Sequence, residues 1–349
     1  MNPNIVNMTD GEDSLEFTLK GVDVSIANAI RRTLLSDIPT VVFRTFGEQK
    51  DSIFTVNTSR LNNEILGQRL SCIPIHLMPD GSEDINDLLL EVDEVNETDT
   101  IRTITTKDFK IKKISTGEYL TNELCREIFK PYISPTGDEY YIQFVRLRQR
   151  ISPEIPGEHI AFTCKFSIGY ASENSMFNVV GTCAYGMSVD DEKAENLLAV
   201  LMQTWESGGT SADTIEHDAD NWRLLEKKRI VIENSFDFII KTVGPIPSGR
   251  LVAIACAVLI SKFKRIIADI EGGSMVSSRS SMSNKYSIEY TLENEDYTIG
   301  NVLNHLMFKK FYEGKKTISF CGFKKMHPHD THSVIRLIFA DIVQEPPSP

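Results

Sequence analysis

An internal repeat constrains this chain more than any other feature. Asp23-Val24-Ser25-Ile26-Ala27-Asn28-Ala29-Ile30 near the start returns as Asp296-Tyr297-Thr298-Ile299-Gly300-Asn301-Val302-Leu303 near the end. Both copies read as helix openings: a hydroxyl, Ser25 or Thr298, stands ready to cap the first turn, and apolar residues follow at helical spacing. A strand-like alternation precedes each copy, Leu15 to Leu19 and Tyr286 to Tyr290, and a β-rich run follows, Pro39 to Arg44 and Thr317 to Phe323. Two similar strand–helix–strand units, each with one apolar helix face, suggest halves that bury those faces against each other. The pattern is that of a dimer joined into one chain.

The length of 349 residues suggests two or three domains, each able to bury its own core. A net charge of -12 argues against a general nucleic-acid-gripping surface but leaves room for a local basic patch. Cys72, Cys125, Cys164, Cys183, Cys256 and Cys321 form no CxxC pair. With no signal-like opening and no membrane-length apolar run, the expectation is an intracellular protein of a reducing compartment, not bound to a membrane. The sequons at Asn7, Asn57 and Asn96 then read as chance matches.

Between the repeats the character changes. The segment from Asp80 to Asp99 is acidic, contains no Lys or Arg, and reads as a solvated loop with a short strand at Leu88-Leu89-Leu90. Two helices are expected at Asp191 to Trp205 and about Asp218 to Lys228, separated by Ser207-Gly208-Gly209-Thr210-Ser211. A strand at Phe236 to Ile240 leads through Gly244-Pro245-Ile246-Pro247 into the longest helix. Ser248 would cap it, and Leu251, Ala255, Val258, Leu259, Phe263, Ile266 and Ile270 would form its apolar stripe. Glu271-Gly272-Gly273-Ser274 would stop it and open a Ser-rich linker able to span roughly 40 Å.

No catalytic pattern emerges. Gly244 to Arg250 spaces its glycines like a phosphate loop, but Arg250 and Leu251 stand where Lys and Ser/Thr are needed. His327-Pro328-His329-Asp330-Thr331-His332 reads as a turn between strands in preference to a metal site. Asp190-Asp191-Glu192 is explained by the dipole of a helix start. Lys309, Lys310, Lys315 and Lys316 read as a solvated surface. Arg31 and Arg32 lie beside the apolar face of the first repeat, either as a solvated edge or as forks onto a partner's carboxylates.

Asp23 to Pro39, with its core Asn28-Ala29-Ile30-Arg31-Arg32-Thr33-Leu34-Leu35-Ser36, resembles the signature of the alpha-like subunits of cellular RNA polymerases. That family comprises the bacterial alpha chain, the archaeal D chain and the third-largest chain of eukaryotic RNA polymerase II. Asn57 to Ile65, Arg69 to Pro74, and Phe236 to Pro247 are similar to further segments of it. Asp296 to Leu306, Ile318 to Phe323 and His327-Pro328 resemble the smaller partner, the archaeal L chain or its eukaryotic counterpart, the eleventh subunit. The two are normally separate proteins; a fusion resembles the arrangement of large nucleocytoplasmic DNA viruses.

The resemblance implies an α+β fold with two dimerisation units and a β-rich domain inserted in the first. Residues 1–48 and 229–271 would form the D-like unit, 49–228 the insertion (ending between 186 and 230), 272–283 a linker and 284–349 the L-like unit. The dimer interface would comprise Ile26, Ala29, Ile30, Leu34, Leu251, Val258, Ile299, Val302, Leu303 and Leu306. Arg31, Arg32, Glu64 and Arg69 would meet a large subunit, and Arg32→Glu would leave the protein folded but unable to assemble. The smaller partner usually ends in a long helix, which Pro346-Pro347 forbids here. Some relatives hold zinc or an iron–sulfur cluster in the insertion; this chain lacks those cysteines, so no metal or cofactor is expected.

The resemblance implies a non-catalytic assembly platform of a viral DNA-dependent RNA polymerase. Its partners would be the second-largest and largest subunits and a small zinc-bearing subunit, with no direct sequence-specific DNA binding. Its location would be the host cytoplasm (a viral factory), the nucleus or the virion. Rival readings are a free-standing scaffold of the same fold and a nucleotide-acting enzyme. A free-standing DNA-binding factor would need a basic face.

Overall fold

Alternating apolar residues build the first sheet. Leu15, Phe17 and Leu19 on the strand Ser14–Lys20 pair in register with Ile240, Phe238 and Phe236 on the antiparallel strand Val231–Thr242. All six are buried, and the Phe17 and Phe238 rings stack with centroids 5.1 Å apart. Strands Asn4–Asp10 and Val180–Val189 flank this pair. On the opposite face Asp237 accepts hydrogen bonds from the Thr18 and Ser188 hydroxyls at 2.8 and 2.9 Å. Ser235 donates in turn to Ser188, so the polar face is tied across three strands.

The computed structural model describes residues 2–11, 14–48, 50–81, 84–152, 154–279 and 287–340. It is a mixed α/β protein. Among the described residues there are seven α-helices: α1 Val24–Ser36, α2 Asn63–Ser71, α3 Asn122–Ile128, α4 Asp191–Ser207, α5 Ala212–Leu224, α6 Ser248–Glu271 and α7 Tyr297–Met307. None is long and apolar enough to cross a membrane.

The chain divides into two units. One comprises residues 1–33, 182–241 and 252–349; the other comprises 34–181 and 242–251. The first unit holds the sheet above and a second one, with strands in the order Ser277–Arg279, Ser287–Glu293, His332–Phe339 and Ile318–Lys324. Each sheet supplies a strand that leads directly into a repeat helix, Ser14–Lys20 into α1 and Ser287–Glu293 into α7. The correspondence ends after the helices. Ile318–Lys324 stays in the sheet of its own repeat, whereas Thr40–Val42 pairs with Ser167–Gly169.

The second unit centres on a four-stranded antiparallel sheet, ordered Ser52–Asn57, His159–Lys165, Leu88–Val95 and Lys110–Lys113. Phe109, Phe129, Phe144 and Phe162 meet edge to face or tilted in its core. The short strand expected at Leu88-Leu89-Leu90 in the acidic segment is present and longer, an eight-residue strand Leu88–Val95 with alternate residues Leu88, Leu90 and Val92 buried.

These boundaries differ from 49 and 228. The first stretch of the second unit runs from 34 to 181, because Val180–Val189 hydrogen-bonds into the first sheet and carries α4 and α5 with it; residues 242–251 complete that unit. Part of the Ser-rich linker also differs: Ser277–Arg279 is an edge strand paired with Ser287–Glu293. Edge pairing is made by backbone groups, so serines do not prevent it. α5 starts earlier than expected, at Ala212, with Ser211 as its cap. α6 is not capped by Ser248. The Pro247 carbonyl accepts from the Arg250 and Leu251 amides, and the Ser248 hydroxyl is buried with no hydrogen-bond partner. Gly272 and Gly273 do end α6, Gly273 in the left-handed conformation at φ 70° that glycine adopts without strain. The expectation for the end of the chain concerns 343–349 and lies outside the described residues.

Truncating Phe238 to Ala should lower the unfolding free energy by about 3–5 kcal/mol in a denaturant titration, because it opens a cavity beneath the stacked ring of Phe17. A loss below about 1 kcal/mol would contradict this packing.

Candidate dimerisation interface

The two repeat helices open on aspartates, not on hydroxyls. Asp23 accepts from the Ser25 amide and Asp296 from the Thr298 amide, each at 2.8 Å. A carboxylate there satisfies an amide that has no helical partner and also meets the positive end of the helix dipole. Ser25 and Thr298 were the expected caps. The structure puts the Ser25 hydroxyl in a buried position with no partner, and the Thr298 hydroxyl accepts a bond from Arg32 at 2.9 Å.

Each cap then meets a basic side chain from the other repeat. Arg32 on α1 donates to Asp296 at 2.6 Å, and His305 on α7 lies 3.2 Å from Asp23. The spacing is the same in both copies, nine residues from aspartate to basic side chain (23 to 32, 296 to 305). Residue i of the first repeat meets j of the second, and the counterpart of j meets the counterpart of i. A two-fold interface has this form. Here both sides belong to one chain.

A third tie is asymmetric. Glu295, next to the second cap, is 1 % exposed at its side chain. Its carboxylate receives Arg265 of α6, with Lys262 3.8 Å away. Val22, a buried apolar residue, occupies the matching position in the first repeat. Gly300 stands where the first repeat has Ala27; a Cβ there would lie 2.1 Å from the Phe323 ring, which would have to shift to admit it.

The apolar faces accompany these ties. Ala29, Ile30, Leu34, Leu251, Ile299 and Val302 are buried; Ile26, Val258 and Leu303 are half-buried, and Leu306 is exposed. Of the α6 stripe, Leu251, Ala255, Leu259 and Ile266 are buried, whereas Ile270 is exposed. Of the four residues assigned to an external partner, Arg31 folds back onto Asn28 at 3.0 and 3.1 Å, and Arg32 is committed to Asp296 and Thr298. Arg32→Glu would set a carboxylate against Asp296, so that variant is expected to lose stability and not merely assembly. In the other unit, Glu64 is exposed in the first turn of α2, and Arg69, also exposed, donates to the Gln143 carbonyl at 2.7 Å.

The remaining sequence candidates are absorbed locally. Arg250, at the end of the phosphate-loop look-alike, forks onto Asp80 with both contacts at 2.8 Å. His327 to His332 forms a turn in which the His327 amide donates to Asp330 and the His329 amide to His327. Among the described residues no group of three or more His, Cys, Asp or Glu is placed to hold a metal ion. Asp23, Asp296, His305, Arg265 and Glu295 were missed as site residues, although the equal nine-residue spacing was available in the repeat.

Both cap carboxylates titrate below their ordinary value of 3.8. Burial pushes each upward, but hydrogen bonds from Ser25 or Thr298 and the facing His305 or Arg32 outweigh it. A depressed folded-state value stabilises the fold fully above the unfolded value, and that contribution is lost as pH falls through the folded one. Acid unfolding should therefore steepen below pH 3.8. Arg32→Ala should flatten it and cost about 1 kcal/mol or less at neutral pH, since the pair is a third exposed. His305→Arg, offering a fork to Asp23 and the unpartnered Ser25, should raise the melting temperature. Equal melting curves for all three proteins across pH would contradict the exchange.

Residues 16–263 match the family model described as the RNA polymerase Rpb3/Rpb11 dimerisation domain. Human DNA-directed RNA polymerases I and III subunit RPAC1 is 26% identical over 300 residues, covering 76% of this chain and 83% of the relative. DNA-directed RNA polymerase subunit Rpo3 of Pyrococcus furiosus is 23% identical over 286 residues, covering 74% and 94%. Rpo3 of Thermococcus kodakarensis is 44% identical over 64 residues, covering 18% and 22%.

Proposed function

The chain belongs to the RNA polymerase Rpb3/Rpb11 dimerisation domain family, and we propose that it is the non-catalytic assembly platform of a multisubunit DNA-dependent RNA polymerase. One observation carries the reading: two repeats of one chain exchange cap contacts as the halves of a dimer would. The first repeat and α6 act as the larger, D-like partner, and the second repeat acts as the smaller, L-like one. Dimerisation is then intramolecular, at an effective concentration of roughly millimolar set by the connecting segment. No search for a separate partner precedes assembly.

The completed platform receives the second-largest subunit, then the largest, together with a small zinc-bearing subunit. Glu64 and Arg69 of α2 supply contacts to the large partner, as does Arg31; both α2 residues are exposed, as such a role requires. Arg32 serves assembly indirectly, by holding the second repeat in place. The fused arrangement resembles that of a viral polymerase working in a cytoplasmic factory or the nucleus, or carried in the virion. Support comes from the family match, from relatives that are polymerase subunits by name, and from the repeat itself.

Co-purification from the natural source tests this. Tagged protein should recover two very large polymerase subunits in equal amounts, and Glu64→Lys with Arg69→Glu should reduce that recovery at least tenfold while the variant still folds, with a small loss of melting temperature from the Arg69–Gln143 bond and the helix dipole. Recovery of the chain alone would overturn the platform reading; undiminished recovery with the double variant would remove α2 from the contact.

A further inference from the structure

The part of the second repeat that follows Glu293, Glu295 and Asp296 is locally basic. Between residues 297 and 340 stand seven Lys or Arg and two Asp or Glu, a local excess of five positive charges in a chain of net charge -12. Six of the seven are lysines: Lys309, Lys310, Lys315, Lys316, Lys324 and Lys325. The first four crowd one turn. After α7 the backbone widens into the π-helical stretch Phe308–Gly314, closed by the Lys315 amide on the Lys310 carbonyl at 3.0 Å.

The turn is built to hold those lysines outward. Phe308 and Tyr312 stack at 4.7 Å, and the ammonium groups of Lys310 and Lys315 sit 5.4 and 5.7 Å from the Phe311 ring centre. Lys316 takes a left-handed backbone conformation, φ 53°, where asparagine or glycine would be less strained. All four are exposed, and among the described residues none is in an ion pair. Four like charges that repel one another are thus concentrated, with the single carboxylate of Glu313 among them.

We propose that this lysine turn binds the sugar–phosphate backbone of nucleic acid without reading its sequence. The residue type separates this from a protein partner. Protein interfaces favour arginine and are depleted in lysine, whereas phosphate-backbone binding is served by compact point charges. The rings are engaged with one another and with the lysines, so they support the cations instead of stacking on bases. The site lies beyond residue 263, outside the family match, and does not depend on the assembly role. It would let the platform hold DNA or RNA that passes near it.

Fluorescence anisotropy of the full chain with labelled 30-nucleotide single-stranded DNA and a 30-base-pair duplex, from 50 to 200 mM salt, tests the proposal. Binding should weaken steeply with salt and be indifferent to sequence. Replacing Lys309, Lys310, Lys315 and Lys316 together by Gln should cut affinity at least tenfold at 50 mM and reduce the duplex salt slope by about 3. The melting temperature and recovery of large subunits should not change, which separates this test from that of the platform. No salt-dependent binding, or unchanged binding by the quadruple variant, would overturn the proposal. Tighter binding of polyglutamate than of either oligonucleotide would overturn it too and reassign the turn to an acidic protein segment.

Discussion

The exchange of helix caps is the constraint on which the first unit depends. Asp23 and Asp296 each start their own helix and each receive a basic side chain from the other repeat. A helix that begins elsewhere by one residue would move both its cap and its basic side chain, so the two starts are set together. The pairs are partly exposed, and by themselves they add only about 1 kcal/mol or less each. Their larger effect is on register. Burial of Ile30, Ile299 and Val302, about 1.5–3 kcal/mol apiece as an upper estimate, rewards any apolar pairing; the charges reward one of them.

Departures from symmetry show what each half contributes. The first repeat offers Arg32, which reaches both a carboxylate and a hydroxyl; the second offers His305, which reaches the Asp23 carboxylate. Glu295 compensates on the second side. A carboxylate this deeply buried is tolerable only while Arg265 and Lys262 remain beside it. α6 is thereby tied to the second repeat by charge. The arrangement joins elements from opposite ends of the chain, as an obligate pair of separate proteins would have to do across an interface.

Much of this was open to reading in the sequence. The repeat, the strands around Phe17 and Phe238, and the long helix with its glycine stop all follow from periodicity and from residues with one conformational use. Expectation failed where a choice lay between chemically similar groups. Asp and Ser both cap helices, and only the arrangement in space shows that Asp23 and Asp296 do so while Ser25 does not. Arg32 was visible as a functional candidate, but the sequence does not say whether a fork faces its own chain or another. Glu295 had no signal, because its burial is created by α6, which departs from it by some thirty positions in sequence. Backbone pairing at Ser277–Arg279 likewise leaves no trace in hydropathy.

The central claim is that the second repeat is the built-in partner of the first. A protease site placed between residues 280 and 286, cut after folding, tests it by native mass spectrometry. The two fragments should stay together one to one, and Arg32→Glu should let them part. Fragments of the unmodified protein that separate once cut would mean the linker, not the exchanged caps and buried faces, holds the repeats together.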